Sequence, residues 1–201
     1  MTLTINNLEK IEQILKDDNN DYQIELQEGN ILIMGPSDIE SSEIGAEFIY
    51  LLKLWTNPRK LGRIFDSSGG FIMPNTDLRA PDVSFVSAQR LKRTVRDFGN
   101  LVPDLVVEIK SQSDKIKTLK NKILNLIKLG ALVGILIDPD EETVTVYRSE
   151  GEPMVFNNGD ILTLPEIFSG WEVPICELWP TVFTEEEIEG LSSNQEIEEK
   201  N

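Results

Sequence analysis

The chain contains no histidine. That absence excludes the Ser-His-Asp and Cys-His arrangements of nucleophilic catalysis, the HExxH zinc site and any imidazole proton shuttle. There is one cysteine, Cys176, so an internal disulfide is impossible and a structural zinc site has no ligand set. Any metal would have to be a hard cation held by carboxylates and water, such as Mg2+ or Mn2+. No apolar run is long enough to span a bilayer. The opening residues, MTLTINNLEKIEQ, have neither the basic start nor the apolar block of a signal peptide. The expectation is a cytoplasmic protein with no membrane partner.

Positive charge is also scarce. Nineteen Lys and Arg stand against 35 Asp and Glu, a net charge of −16. A general nucleic-acid binder should carry the opposite field. Part of the excess is local: residues 185–201 hold seven acids and one base, leaving 28 acids against 18 bases in the rest. The expected organisation is one domain over residues 1–184 followed by an acidic, disordered tail over 185–201.

What is present is a regular alternation of elements. Apolar residues at 5, 8, 11, 14 and 15 suit a short amphipathic helix. Residues 22–34 read as two strands around Glu28-Gly29-Asn30. A helix is expected over about Glu40–Thr56, with Ile44, Phe48, Leu51, Leu52 and Trp55 on one stripe and Asn57-Pro58 as its end. Glu40 projects beside that stripe, toward whatever the helix packs on. Strands follow at 63–66, 71–73 and 82–86, with 75–80 as a turn-rich connection. The polar stretch 87–100 reads as helix and then loop. Leu105–Lys110 is the strongest strand, and a helix capped by Ser113 or Asp114 runs to about Leu129, before Gly130. Val133–Ile137, a turn at Asp138-Pro139-Asp140, Thr143–Tyr147 and a hairpin-like segment through Phe156 and Ile161 complete the pattern. The unit from 104 to 137 predicts a crossover between parallel strands. The fold class is therefore α/β, a mixed sheet flanked by helices.

The strongest strand carries the chemistry. In PDLVVEIK, alternation puts Leu105, Val107 and Ile109 on one face, and Asp104, Val106, Glu108 and Lys110 on the other. A buried carboxylate needs a compensating partner or a metal. A structural Glu108–Lys110 ion pair is one reading. The other needs a second carboxylate. Asp104 is four residues away on the same face, roughly 13 Å at 3.3 Å per residue, too far to share one ion. Asp82, at the head of the strand in RAPDVSFV, is the best candidate.

The segments FDSSGGF (Phe65–Phe71), RAPDVSFV (Arg79–Val86), PDLVVEIKSQSD (Pro103–Asp114) and LGALVGILIDP (Leu129–Pro139) occur in order. Together they resemble the PD-(D/E)XK nuclease superfamily, and more closely its Uma-type restriction endonuclease family, over roughly residues 25–180. The resemblance implies a restriction-endonuclease-like core and metal-dependent hydrolysis of phosphodiester bonds with Mg2+ or Mn2+. Asp82 and Glu108 would be the metal ligands, Lys110 the motif lysine near the attacking water, and Glu40 an additional acid. The substrate would be nucleic acid, with DNA expected, and the enzyme a homodimer. Leu126 and Gly134-Ile135 stand where many relatives carry aromatics.

The helix after Ser113 also holds Lys115, Lys117, Lys120, Lys122 and Lys128 against one acid, Asp114. This is either an ordinary solvated face or a local phosphate-binding surface. Lys120 and Lys122 border the apolar stripe and are the nucleic-acid-binding candidates. Lys122 can reach the sheet end where Glu108 stands. The residues alone leave open a catalytically silent binding or regulatory module on the same fold, and a purely structural domain. A two-carboxylate glycosidase fits less well, since it needs neither metal nor lysine.

Overall fold

The computed structural model describes residues 3–17, 23–185 and 187. The acidic tail read from the sequence lies, apart from residues 185 and 187, outside the described residues.

The first helix, α1 (Ile5–Asp17), leads into a hairpin of β1 (Gln23–Gln27) and β2 (Asn30–Met34). Its turn, Glu28-Gly29, is left-handed at both positions, with φ of 49° and 75°. These are the angles a two-residue hairpin requires and glycine supplies without strain. Further along the chain, β4 (Phe71–Ile72) and β5 (Leu78–Arg79) join the hairpin in a four-stranded sheet of order β2-β1-β5-β4. Leu8 of α1 packs on Ile24, Leu26 and Leu78 to form a small core of its own.

The larger sheet has six strands. In chain order they are β3 (Gly62–Asp66), β6 (Val83–Ser87), β7 (Leu105–Ile109), β8 (Val133–Asp138), β9 (Thr143–Arg148) and β10 (Met154–Asn157). Their spatial order is β10-β9-β8-β7-β6-β3. Only β7 and β8 pair in parallel, as the crossover reading predicts. The crossover is α3 (Ile116–Leu129). All five residues of β7 and all six of β8 are buried, the signature of strands covered on both faces. Leu105, Val107 and Ile109 pack with Ile44, Phe48 and Leu52 of α2 (Ile39–Arg59). Val106 packs on the opposite face with Leu119, Ile123 and Leu126 of α3. The short pair β11 (Ile161–Thr163) and β12 (Glu172–Pro174) adds Phe168 and Trp171 to the α2 side.

Besides β5, which forms within the connection expected at 75–80, and β10 and β11, which pair with β9 and β12 rather than with each other, three expectations change. The helix ended by Asn57-Pro58 continues to Arg59. Proline in the last turn deprives the Leu54 carbonyl of its donor. Arg59 strengthens that turn by stacking 3.4 Å above the Trp55 ring and donating to the Trp55 carbonyl at 3.1 Å. Lys60 then closes the helix in the left-handed region. The second change is at 87–100, which holds no helix beyond its turns. That stretch lacks an apolar stripe, and its backbone is spent on Arg63, which takes the carbonyls of Leu91 and Lys92. The third is the start of α3 at Ile116 rather than Ser113 or Asp114. Asp114 instead accepts from the Ser111 backbone N–H and hydroxyl, closing a turn ahead of the helix.

Gly134 allows α3 to lie directly on β8. A Cβ there would stand 2.3 Å from Cγ2 of Ile123. Gly134→Ala should therefore lower stability by ~1–3 kcal/mol through overpacking. An unchanged urea midpoint would show that the helix is not seated this closely.

Candidate metal and catalytic site

The register of the central strands builds the site. β6 and β7 pair antiparallel with Val83 opposite Val107 and Ser84 opposite Val106. One residue further, Asp82 stands opposite Glu108. Directly opposite side chains lie within about 5.5 Å at Cβ. The Asp82 carboxylate also accepts from the Ile109 N–H at 2.7 Å, which clamps the two strand ends together.

Glu108 is 2% exposed, and its Oε2 is 2.9 Å from the Lys122 ammonium. Its Oε1 is buried and has no hydrogen-bond partner among the described residues. Lys122, in the second turn of α3, reaches down between the helix and the sheet end. The same ammonium is 3.1 Å from Oε1 of Glu25 on β1. Glu25 is 1% exposed, and its Oε2 lies 3.3 Å from Nε of the equally buried Arg79. Leu26 pairs with Leu78, so Glu25 and Arg79 are the next cross-strand pair. Three carboxylates (Glu25, Asp82, Glu108) thus face two cations (Arg79, Lys122) in one buried cluster.

Burial dominates the electrostatics. It pushes the Glu108 carboxyl up to about 8 against the pull of Lys122, with the charges of Asp82 and Glu25 adding to the rise. Burial likewise raises Asp82, opposed by the Ile109 N–H and by Lys122. Lys122 is held above the ordinary lysine value: its own burial lowers it, but the three surrounding carboxylates outweigh that.

The other expected residues sit elsewhere. Lys110 follows β7 on the Glu108 face, but its ammonium is bonded to Asp140 in the β8–β9 turn. That contact raises its pKa. The Glu108–Lys110 ion pair considered from the sequence does not form; Glu108 pairs with Lys122. Lys120 lies 6.0 Å above the Tyr147 ring, outside the cleft. Glu40 is exposed in the first turn of α2 and does not line the cleft. The buried face of α2 runs through Ser41, Ile44, Phe48, Leu52 and Thr56, which turns Glu40 outward. Its neighbour Asp38 is in the cleft instead. Asp38 caps α2 by accepting from Ser41 N–H and ties it to the loop after β7 by accepting from Gln112 N–H. These two bonds hold its carboxyl below the usual range. Asp104 is fixed at the start of β7 by Ser87 N–H and Arg90.

Glu25 and Arg79 are the residues that sequence reasoning missed. One signal was there: Glu25 stands in Ile-Glu-Leu as Glu108 stands in Val-Glu-Ile, a lone acid between apolar neighbours on a strand.

A cleft of about 890 Å3 opens over the Asp82–Glu108 pair. Its walls are α2, the loop at 111–114, the end of β3 and the start of α3. Five carboxylates line it (Asp38, Asp66, Asp82, Glu108, Asp114), against one cation, Lys122. No group of three or more His, Cys, Asp or Glu side chains is placed to hold a metal among the described residues. Two carboxylates with open space beside them nevertheless suit Mg2+, which keeps several waters and takes few protein ligands. The unpartnered Glu108 oxygen beside Asp82 fits such an ion.

A mixed sheet with helices on both faces and this acid pair at the end of its central strands is a restriction-endonuclease-like fold. The chain belongs to the Uma2 family, described as "Putative restriction endonuclease", which matches residues 8–176. Among solved structures it is similar to a crystal structure from Anabaena variabilis described as a "putative nuclease belonging to DUF820". The identity is 27% and the TM-score 0.71, covering 77% of this chain and 88% of that one. A search of the curated proteins finds no match. No helix among the described residues is long and apolar enough to cross a membrane.

A raised Glu108 has a measurable consequence for stability. A carboxyl whose folded pKa exceeds its unfolded value contributes stability that is full below the unfolded value and lost as pH rises through the folded one. For Glu108 the window is 4.5 to about 8. In metal-free buffer the wild type should lose stability across that window relative to Glu108→Gln, by at most roughly 1.4 kcal/mol per pH unit. Parallel urea-midpoint profiles for the two proteins would mean that Glu108 is ionised throughout.

Proposed function

We propose that this chain is a metal-dependent endonuclease of the PD-(D/E)XK type that hydrolyses phosphodiester bonds, with DNA as substrate. The observation that carries the reading is the pairing of part-buried Asp82 with buried Glu108, one Glu108 oxygen lying on Lys122 and the other free of hydrogen bonds among the described residues. Burying two acids together is costly unless a cation compensates them. Lys122 compensates only in part, because Glu25 shares it. Bound Mg2+ or Mn2+ supplies a water of lowered pKa and a counter-charge for the scissile phosphate. Asp82 and Glu108 would hold it.

The chain's own residues do the rest. A cleft lined by five acids and one base repels a phosphodiester unless a divalent cation sits at the acid pair, which makes metal and substrate binding interdependent. Lys122 touches Glu108 and is the lysine we assign to stabilising negative charge as it develops on the phosphate. Lys110, expected for that role from its place after Glu108, would first have to leave Asp140. We assign it an outer phosphate contact. Lys120 and Glu40 would act only on substrate extending beyond the cleft. A homodimer would bring one site to each strand of a duplex. The acidity of the cleft favours a second reading, a metal-binding module that does not cut.

The test is cleavage of plasmid and single-stranded DNA with Mg2+ or Mn2+, alongside calorimetric metal binding. Asp82→Ala and Glu108→Gln should each lose about 100-fold or more in rate, and Lys122→Met about as much. Lys110→Ala should lose less than Lys122→Met. The reverse order would return the catalytic role to Lys110. Metal binding without cleavage would establish the non-cutting module, and absence of both would end the nuclease reading.

A further inference from the structure

We infer that Glu25 is a positioning residue for this site, setting the place of both Lys122 and Asp82 from outside the central sheet. The inference rests on the nuclease reading above. Glu25 belongs to β1 in the four-stranded sheet, whereas the acid pair stands on the six-stranded one. Its carboxylate nonetheless ends within the buried cluster.

Three contacts define its action. Oε1 is 3.1 Å from the Lys122 ammonium. The same Oε1 accepts from the Ala80 N–H at 2.9 Å. Oε2 faces Nε of Arg79 at 3.3 Å. Ala80 is two residues ahead of Asp82, and Pro81 between them stiffens the path. One oxygen therefore ties the backbone that delivers Asp82 to the side chain that touches Glu108. Glu108 meets the same ammonium at 2.9 Å. Two carboxylates thus hold the ammonium of a flexible lysine stem.

Glu25 is not itself a metal ligand in this arrangement. Both of its oxygens are already engaged by Ala80, Lys122 and Arg79, whereas Oε1 of Glu108 has no partner among the described residues. Arg79 has a matching part. It is 1% exposed, and its guanidinium makes no hydrogen bond among the described residues, so Glu25 is its nearest counter-charge. Arg79 faces Oε2 of Glu25 and Lys122 faces Oε1, which leaves Lys122 shared between Glu25 and Glu108.

Glu25→Gln separates positioning from mere structure. The amide oxygen can still accept from Ala80, but the charge that holds Lys122 is gone. The expected result is a kcat per folded molecule reduced about 10- to 100-fold, as a misplaced group of about 1 Å costs. KM and the half-saturating Mg2+ concentration should change little. In a crystal structure of Glu25→Gln the Lys122 ammonium should have shifted away from position 25 and be paired with Glu108 alone. Glu25→Asp keeps the charge one methylene further back and should give an intermediate kcat. It also serves if Glu25→Gln fails to fold. A purely structural Glu25 would instead lower the melting temperature and leave the rate per folded molecule unchanged, overturning the inference. If the wild type does not cut DNA with metal, the nuclease reading fails on its own. The crystal position then decides the inference, and a Lys122 ammonium unmoved in Glu25→Gln would overturn it.

Discussion

A carboxylate in the middle of a sheet cannot be left alone. Glu108 is the fourth residue of a strand whose five residues are all buried, and burial leaves its charge little hydration. The surrounding fold is arranged around that constraint. Lys122 comes from the crossover helix, Asp82 from the head of the antiparallel neighbour, and Glu25 with Arg79 from the second sheet. Each belongs to a different element, so the cluster joins three parts of the molecule at one point. The residual imbalance of three acids against two cations leaves it suited to one more positive charge.

The same geometry locates the cleft. β7 and its parallel partner β8 are sandwiched by α2 and α3, so their flanks are closed. Only the strand ends are open to solvent. Ser111–Asp114 leaves the end of β7 there, and Asp38 holds that loop to the start of α2. The cleft floor is thus built from rigid strand ends and its rim from short, hydrogen-bonded loops. A site on such a frame holds its charges in place before anything binds. The acidity of the rim separates this protein from binders that track a nucleic-acid backbone with rows of lysine and arginine.

Much of this was legible from one sequence. Alternation in LVVEI put Leu105, Val107 and Ile109 on one face and Glu108 on the other, and the structure packs those faces on two different helices. The 3.6-residue period outlined α2 and α3 to within a few residues. The order of strand, helix and strand required β7 and β8 to be parallel. Where the reading slipped, a short-range side-chain contact decided. Arg59 on Trp55 carried α2 through Pro58, and Asp114 on Ser111 delayed α3.

The sequence by itself determined the fold class, the acid on the central strand and the exclusion of histidine chemistry, because periodicity and composition are local properties of the chain. Which lysine meets Glu108 was decided only by tertiary structure. A lysine ammonium sits at the end of a long flexible stem, so two residues' separation along a strand does not fix its partner. Lys110 runs past the end of β7 to Asp140, while helix docking lowers Lys122 onto the acid. The role of Glu25 was equally out of reach of sequence alone. It arises where two separate sheets meet, and no spacing along the chain records which strand ends will face each other.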